Sequence, residues 1–301
     1  MFMGNRFPEQ ACVFCPNPNV GVGEHVWPSW FIGEFHGQGP FTTSRADVPY
    51  TKRDKETPVT ADALLGVHVP ACKDCNATLD TTIEKSAKPV IRRLLKHGDS
   101  SDELILSADE CVALARWQLK VGLLSAHPAA DHDHPGLQRD QDLPRLPVVR
   151  PEWLEWMRTG GEPPAGFSVF VTRRHLRGED APPAVKQHIV LPQLIVDGED
   201  LNFMSQSFGF SGVNATIVWH PGWPIAHAQV DTGRAVRLWP NPYEINFGVL
   251  PQVHPRELAF RDGAAVVVDS ADELAQCAQH PLSVDYDPSA AFFGVGIPRE
   301  E

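Results

Sequence analysis

The sequence lacks any long hydrophobic run. Across its 301 residues, no stretch approaches the roughly 18 consecutive apolar residues that a membrane-spanning helix needs. The opening residues, Met-Phe-Met-Gly-Asn-Arg-Phe, also lack the apolar segment of a secretory signal peptide. These absences argue against a membrane partner, and we expect a cytoplasmic protein.

The chain also lacks a net positive charge. It has 26 Lys and Arg residues against 38 Asp and Glu residues, which gives a net charge of −12. Such a chain does not attract nucleic acid through its overall field. Basic residues do concentrate in one segment: Lys73, Lys85, Lys88, Arg92, Arg93 and Lys96. This cluster is consistent both with local contact to phosphate and with a solvated helix face.

Internal repeats and low-complexity tracts are absent as well, which excludes a repeat architecture. Hydrophobic residues make up 42% of the chain and charged residues 21%, as is typical of a soluble globular protein. The 28 prolines favour many loops over long helices. A chain of this length holds one large or two modest domains.

Cysteine is scarce, but four of the six cysteines stand in two C-x-x-C pairs. Two such pairs far apart in sequence are the usual way to gather four thiolates around one zinc ion. In a reducing compartment they are better interpreted as metal ligands than as disulfides. The predicted ligands of a structural zinc are Cys12, Cys15, Cys72 and Cys75. Cys111 and Cys277 have no partner at a suitable spacing, and we interpret them as buried core cysteines.

The segments around the two cysteine pairs have recognisable local patterns. Residues 24–27, after the first pair, and residues 64–69, before the second, are predicted strands. Residues 76–97 carry apolar side chains at three- and four-residue steps, which predicts a helix. Pro89 would kink this helix or split it in two.

The remainder of the chain changes from helical to strand patterns. Ser107 and Glu110 have the spacing of a capping box and predict an amphipathic helix over 107–126. A proline-bounded linker follows over 129–150, and its alternating His and Asp residues either bind a metal or are solvated loop residues. Beyond it, Gly and Pro separate short strand patterns at 167–172, 187–191, 201–205, 215–219 and 265–268.

Polar residues beside the cysteine pairs form a candidate catalytic site. Hydrolysis of a phosphodiester needs a base that deprotonates water and a cation that neutralises developing charge. The imidazole of His25 suits the first task at neutral pH, and oxygen ligands suit a hard ion such as Mg²⁺. Glu24 adjoins His25, but successive strand side chains point oppositely, so the two share one site only in a twisted or bulged strand. Three further candidates recur at four-residue spacing on one face of the predicted helix: Asn76, Asp80 and Glu84.

At these residues the sequence resembles the four-cysteine branch of the HNH endonucleases. The resemblance is carried by the two cysteine pairs, by Gly-Glu-His-Val-Trp-Pro-Ser-Trp at 23–30, and by the Asn that follows the second pair. The run Ile-Glu-Lys-Ser-Ala-Lys-Pro at 83–89 is similar to the Leu-Glu-x-x-Ala-x-Pro helix of stand-alone bacterial HNH proteins. The resemblance covers roughly residues 10–125 and does not extend to the strand-rich remainder.

The resemblance implies an α+β protein with a zinc-stapled ββα-metal (HNH) core and added helices, followed by a mostly β C-terminal domain. It implies His25 as general base and Asn76 as the residue that orients it or contributes to the metal site. Glu24 and Glu84 would bind one Mg²⁺ or Mn²⁺ ion, with Asp80 as the alternative ligand. The chain departs from the family in having Asn-Ala-Thr-Leu at 76–79 in place of the commoner Asn-Asn-Gly-Trp. It also has a glutamate where many members have their last histidine.

We therefore expect a metal-dependent HNH endonuclease that binds nucleic acid, with DNA as the expected substrate. The predicted division is a nuclease domain over 1–128, a linker over 129–150 and an accessory β domain of unknown role over 151–301. Two alternatives stay open at this point. One is a non-catalytic zinc module that binds nucleic acid or protein, against which the set of catalytic residue types argues. The other is an RNase or toxin-like defence effector, which nothing in the sequence separates from a DNase.

Overall fold

The structure of the protein is a computed structural model. It describes residues 7, 10–18, 20–21, 23–35, 67–98, 100, 102–130, 149–174, 206, 208–219, 229–230 and 232–253. Outside these ranges only the backbone of short strands is described. By compactness the chain divides into two units, of which the first comprises Met1–Ser86 and Lys120–Pro163. The second comprises Ala87–Leu119 and Pro164–Glu301.

Up to residue 159, the described part of the chain contains five α-helices and short strands of two residues, and strands dominate the rest. The described helices are α1 (Ser29–Glu34), α2 (Lys73–Leu79), a π-helical turn (Asp80–Glu84), α3 (Lys85–His97), α4 (Ala108–Ala126), α5 (Glu152–Thr159) and a 3-10 turn (Phe247–Val249). The first strands are β1 (Glu24–His25), β2 (Phe41–Thr42), β3 (Ser44–Arg45), β4 (Val48–Pro49), β5 (Thr60–Ala61), β6 (His68–Val69) and β7 (Ile105–Leu106). The later strands are β8 (Phe167–Arg174), β9 (Lys186–Val190), β10 (Gln193–Val196), β11 (Glu199–Asp200), β12 (Met204–Phe210), β13 (Val213–Trp219), β14 (Ile225–His227), β15 (Ala235–Trp239), β16 (Ile245–Asn246), β17 (Gln252–Val253), β18 (Ala265–Val268), β19 (Leu282–Val284) and β20 (Val295–Gly296). This arrangement is the α+β class with a C-terminal sheet region that the sequence predicted.

In the first unit, a short antiparallel strand pair leads into a helix. β1 pairs with β6, so that Glu24 lies opposite Val69 and His25 opposite His68. Pro70 cannot donate to a strand ladder, and α2 begins shortly after it, with Cys72 as its N-cap residue. Buried apolar side chains from β1, α1 and the helix after β6 form the local core: Val26, Trp27, Phe31, Leu79 and Ile83.

One continuous helical segment runs from α2 through the π-helical turn into α3. It begins at Lys73, slightly before the predicted start at 76, and Pro89 lies inside α3 instead of splitting it. Threonine hydroxyls around the π turn donate back to main-chain carbonyls, as Thr82 does to Thr78 at 2.8 Å. Such back-bonding weakens the regular helical ladder, which suits the wider π turn at this position.

The predicted capping box at the start of α4 is confirmed. The Ser107 backbone N–H donates to the Glu110 carboxylate at 2.9 Å, and the Glu110 N–H donates to the Ser107 hydroxyl at 3.3 Å. Farther along, α4 is apolar on most sides, and its side chains are almost all buried from Trp117 to Ala126. A polar side chain in this stretch must therefore find its partners inside the protein.

The second unit contains a six-stranded sheet in the order β15-β8-β13-β12-β9, with β17 also paired to β8. Four of the five predicted C-terminal strands appear as β8, β9, β13 and β18. The predicted strand at 201–205 lies instead at Met204–Phe210 and continues through Gly209. A Cβ at Gly209 would lie 2.5 Å from Nη1 of Arg174, so a larger residue at this position would require the arginine side chain to shift.

Arg173 joins the sheet of the second unit to two loops. Its guanidinium donates to the carbonyl of Gly248 at 2.7 Å and to that of Ser100 at 2.5 Å, and its side chain is buried. The arginine thus links β8 to the chain at residues 100 and 248 through its guanidinium donors.

The expected domain boundaries at 128 and 150 stay predictions, because compactness alone does not define functional domains. Most of the predicted linker, with its alternating His and Asp residues, lies outside the described residues, as does Cys277. Among the helices that the structure describes, none is long and apolar enough to cross a membrane.

Candidate functional site

The four paired cysteines form one cluster in the first unit. The sulfur atoms of Cys12, Cys15, Cys72 and Cys75 all lie within 4.8 Å of one another. The Cys15 sulfur is 3.7 Å from that of Cys72 and 3.6 Å from that of Cys75. Around a tetrahedral zinc with bonds of about 2.3 Å, sulfur atoms are about 3.8 Å apart. The cluster can therefore hold a metal ion such as zinc.

Backbone hydrogen bonds fix the first cysteine pair against the chain before the second. The Cys12 N–H donates to Asn17 at 2.9 Å, which closes the turn, and the Val13 N–H donates to Pro70 at 3.0 Å. Burial raises the pKa of the Cys12 thiol. At Cys72, burial alone would raise the pKa, but hydrogen bonds from the Cys75 backbone and the neighbouring thiols outweigh it and lower the pKa. Of the two residues Cys12 and Cys72, Cys72 therefore more readily forms a thiolate.

His25 lies in the strand pair directly opposite a second histidine. The ring centroids of His25 and His68 are 4.0 Å apart, with the rings tilted by 48°. His25 is partly exposed, whereas His68 is buried. The Val26 N–H donates to Val67 at 2.9 Å and extends the pairing past the histidines. The result is one imidazole that solvent reaches and one that supports it from within the protein.

Asn76 connects the first turns of α2 to the residue before β1. Its side-chain amide donates to the Gly23 carbonyl at 3.1 Å. Gly23 has a φ of +82°, and a Cβ at this position would lie 2.4 Å from the Val69 carbonyl oxygen. Only glycine tolerates both the left-handed backbone and this close approach. The polar contact of Asn76 is therefore with the backbone that carries Glu24 and His25.

Glu24 and Glu84 are brought together, and a lysine lies between them. The Lys120 ammonium donates to Glu24 Oε1 at 2.5 Å, to Glu84 Oε1, and to the His25 carbonyl at 3.0 Å. The exposed fractions of these side chains are 0% for Lys120, 6% for Glu24 and 9% for Glu84. This cluster, which we term the buried triad, consists of Glu24, Glu84 and Lys120, and all three lie in the first unit.

The contacts of the buried triad shift the pKa of its lysine and of one of its glutamates. Burial alone would lower the pKa of Lys120, but the charges of Glu24 and Glu84 outweigh it and raise the pKa. Burial raises the pKa of Glu24 against the opposing effect of Lys120. The second oxygen of Glu84 accepts a hydrogen bond from the Trp30 indole N–H at 3.1 Å. Both oxygens of Glu84 therefore have protein donors.

Asp80 does not join this group. Its side chain is exposed, whereas Glu84, one π turn later, is buried. The expectation that Asn76, Asp80 and Glu84 share one helix face stays a prediction. The exposure of these residues differs along the helix: Asn76 is partly exposed, Asp80 is exposed and Glu84 is buried.

The geometry thus separates the predicted site residues into groups. The four cysteines meet, and Glu24 meets Glu84, while the His25 ring lies against His68. Whether Glu24, Glu84 or Asp80 binds an ion, and whether His25 and Asn76 act in catalysis, stay predictions. Sequence reasoning missed Lys120 and His68. The signal for Lys120 was its position within a helix that is apolar on most sides, where a lysine requires buried partners.

Comparisons with protein-family models, with curated proteins and with solved structures found no match to this chain. The resemblance to HNH endonucleases therefore rests on the quoted residues alone.

Proposed function

We propose that the protein is a zinc-stapled HNH-type endonuclease that hydrolyses DNA phosphodiester bonds. One observation carries the proposal: a four-cysteine cluster fastens the start of α2 beside a two-stranded pair that bears a partly exposed histidine. The order of strand, strand and helix agrees with the ββα core that the resemblance implies. The four cysteines, Glu24, His25, Asn76 and Glu84 all lie in this one unit.

In the proposed reaction, His25 accepts a proton from the attacking water. A partly exposed imidazole suits this role, because it must reach solvent and be neutral near pH 7. The neighbouring His68 ring and the hydrogen bond from Lys120 to the His25 carbonyl restrict where the imidazole lies. Asn76 restricts the same strand through the Gly23 carbonyl. Restricted geometry of this kind is how a scaffold lowers the entropic part of an activation barrier.

The cysteine cluster has a structural role in this proposal. A zinc ion with four thiolate ligands has no open coordination position, so it does not activate water or bind the phosphate. Zinc is the proposed metal because it favours four sulfur ligands in a tetrahedral arrangement.

The resemblance to HNH endonucleases implies a second ion, Mg²⁺ or Mn²⁺. Such an ion would neutralise charge on the phosphate. The carboxylates of Glu24 and Glu84 have suitable oxygen donors for such an ion. In the structure, however, Lys120 lies between them and donates to an oxygen of each. The pair therefore does not fit a divalent ion in this arrangement.

Lys96 and Arg92 are exposed basic side chains on α3 in the second unit, and we propose that this unit uses them to bind nucleic-acid phosphate. They support local binding despite the net charge of −12. Because phosphate contacts release counterions, we expect binding to weaken as salt rises.

A plasmid-nicking assay tests the proposal, run with Mg²⁺, with Mn²⁺ and with EDTA, on zinc-loaded protein. His25→Ala should lower the cleavage rate at least about a hundredfold and leave DNA affinity nearly unchanged, because a general base acts in the transition state. His97→Ala, which removes a histidine outside the candidate site, is the matched control. Single-stranded RNA in a parallel assay separates a DNase from an RNase.

Cleavage by His25→Ala at the wild-type rate would refute the role of His25. If the zinc-loaded protein cleaves neither DNA nor RNA with either ion, the non-catalytic zinc module becomes the better description.

A further inference from the structure

The ammonium of Lys120 has three N–H donors, and each has a protein acceptor. These acceptors are a carboxylate oxygen of Glu24, a carboxylate oxygen of Glu84 and the main-chain carbonyl of His25. A lysine ammonium has no further donor to offer. The group is therefore fully hydrogen-bonded, although its side chain is entirely buried.

We propose that Lys120 is the resident cation of the Glu24–Glu84 pair, and that this pair binds the lysine in place of a divalent ion. The proposal rests on the proposed function for its catalytic consequence. In that context Lys120 is a positioning residue, which acts on the reaction through the strand that carries His25. Any Mg²⁺ or Mn²⁺ that the enzyme uses then binds at other ligands, including those of the substrate.

Geometry supports this assignment. Mg²⁺ requires near-octahedral oxygen ligands at about 2.0–2.1 Å. The Oε1 atoms of Glu24 and Glu84, however, already accept hydrogen bonds from Lys120. The Oε2 atom of Glu84 accepts a hydrogen bond from the Trp30 indole.

Withdrawal of Lys120 from the two carboxylates would be unfavourable, because its side chain is entirely buried. Displacement by an ion would leave the ammonium buried without its counter-charges, which is strongly unfavourable. The same contacts also stabilise the fold, because Lys120 hydrogen-bonds to both residues of β1 and to Glu84 in the π turn.

Nuclear magnetic resonance on the wild-type, zinc-loaded protein tests the proposal directly. With ¹⁵N-labelled lysine, the Lys120 ammonium should give a resolved signal, because burial and three acceptors slow its exchange with water. We expect millimolar Mg²⁺ to leave both this signal and the Trp30 indole N–H signal unchanged. A saturable shift of the two signals with added Mg²⁺ would overturn the proposal, because it would show the ion entering between the carboxylates.

A substitution provides the converse test. Lys120→Met removes the ammonium but retains much of the side-chain volume, and should create a Mn²⁺ site that electron paramagnetic resonance detects. The double variant Lys120→Met/Glu84→Gln should lose that site. The matched control is Lys85→Met, which removes an exposed lysine of the same unit and should bind Mn²⁺ as the wild type does. A folded Lys120→Met protein with no added Mn²⁺ site would contradict the proposal. If this variant does not fold, the wild-type spectra decide.

These outcomes are independent of whether the protein cleaves DNA. If no substrate is cleaved but Mg²⁺ leaves Lys120 undisturbed, the proposed function is wrong and the resident-cation assignment stands. If DNA is cleaved and Mg²⁺ displaces Lys120, the assignment is wrong and the nuclease function stands.

Discussion

At the scale of single residues, Gly23 combines two requirements in one position. Its carbonyl accepts the Asn76 amide at 3.1 Å, and its α-carbon lies against the backbone of β6. A Cβ added there would lie 2.4 Å from the Val69 carbonyl oxygen, with φ at +82°. The residue before Glu24 and His25 is therefore fixed by backbone conformation and by space together.

We expect Gly23→Ala to disrupt the start of β1. Left-handed backbone at a non-glycine residue costs on the order of 1–3 kcal/mol, and the clash with Val69 adds to this. Thermal unfolding of the zinc-loaded protein should show a lowered midpoint, and cleavage should fall with it.

Two other glycines provide matched controls for this substitution. Gly21 also has a positive φ, +52°, but open space around its α-carbon, so Gly21→Ala isolates the conformational cost. Gly33 lies in α1 with open space and no positive φ, so Gly33→Ala should be neutral or slightly stabilising. Equal midpoints for Gly23→Ala and Gly21→Ala would show that the contact with Val69 contributes nothing.

At the scale of elements, α4 is fixed at both of its ends. Ser107 and Glu110 cap its start, and His127 follows its last residue, Ala126. The Nδ1 atom of His127 accepts a hydrogen bond from the Ala129 N–H at 3.0 Å. An accepting Nδ1 requires a neutral imidazole, and burial lowers the pKa of His127 to about 4.

This lowered pKa predicts a loss of stability in acid. The unfolded chain has an ordinary histidine pKa of about 6.5, so between about pH 6.5 and pH 4 the unfolded state binds more protons than the folded state. The contribution of His127 to the free energy of unfolding is therefore fully present above about pH 6.5 and is lost as the pH falls toward 4. Urea unfolding measured across this range should show the decline.

The control for this prediction is His127→Asn, which keeps an acceptor near the position of Nδ1 but does not titrate. Its free energy of unfolding should fall less steeply between pH 6.5 and pH 4 than that of the wild type. Other groups titrate in both proteins and cancel in the comparison. Parallel slopes, or a His127 pKa near 6.5 by nuclear magnetic resonance, would contradict the assignment.

The elements also show which features the sequence could predict. The capping box of α4 follows from a local spacing rule, and the cysteine cluster follows from the spacing of ligands for one metal ion. Both features appear in the structure. The π turn does not follow from apolar periodicity, because it depends on threonine hydroxyls that compete for main-chain carbonyls. The buried position of Lys120 was missed for a different reason: its partners, Glu24 and Glu84, are 96 and 36 residues away in the chain.

At the scale of the whole molecule, the two compact units differ in what stabilises them. The second has a six-stranded sheet, in which Trp117 packs edge-on against Phe208 and Phe210. The first has strands of only two residues in its described part, and its cysteine cluster joins segments that are 57 residues apart at Cys15 and Cys72. Short strands bury little surface by themselves, so we expect the order of the first unit to depend on a metal ion at the cysteine cluster.

We therefore expect Cys72→Ser to unfold the first unit instead of merely slowing catalysis. Loss of one thiolate weakens the metal site, and loss of the metal releases the start of α2 from the turn at Cys12, because metal binding and folding are coupled. Zinc content should fall from one ion per chain, and amide hydrogen exchange should rise in residues 23–35 and 67–80 relative to the sheet of the second unit.

Cys111→Ser is the matched control, since Cys111 is a buried thiol outside the cluster. Burial raises the pKa of Cys111 to about 12. Cobalt in place of zinc should give the absorption of a tetrahedral thiolate site in the wild type and in Cys111→Ser alone. A Cys72→Ser protein with full zinc content and unchanged exchange would show that the cluster does not hold this unit together.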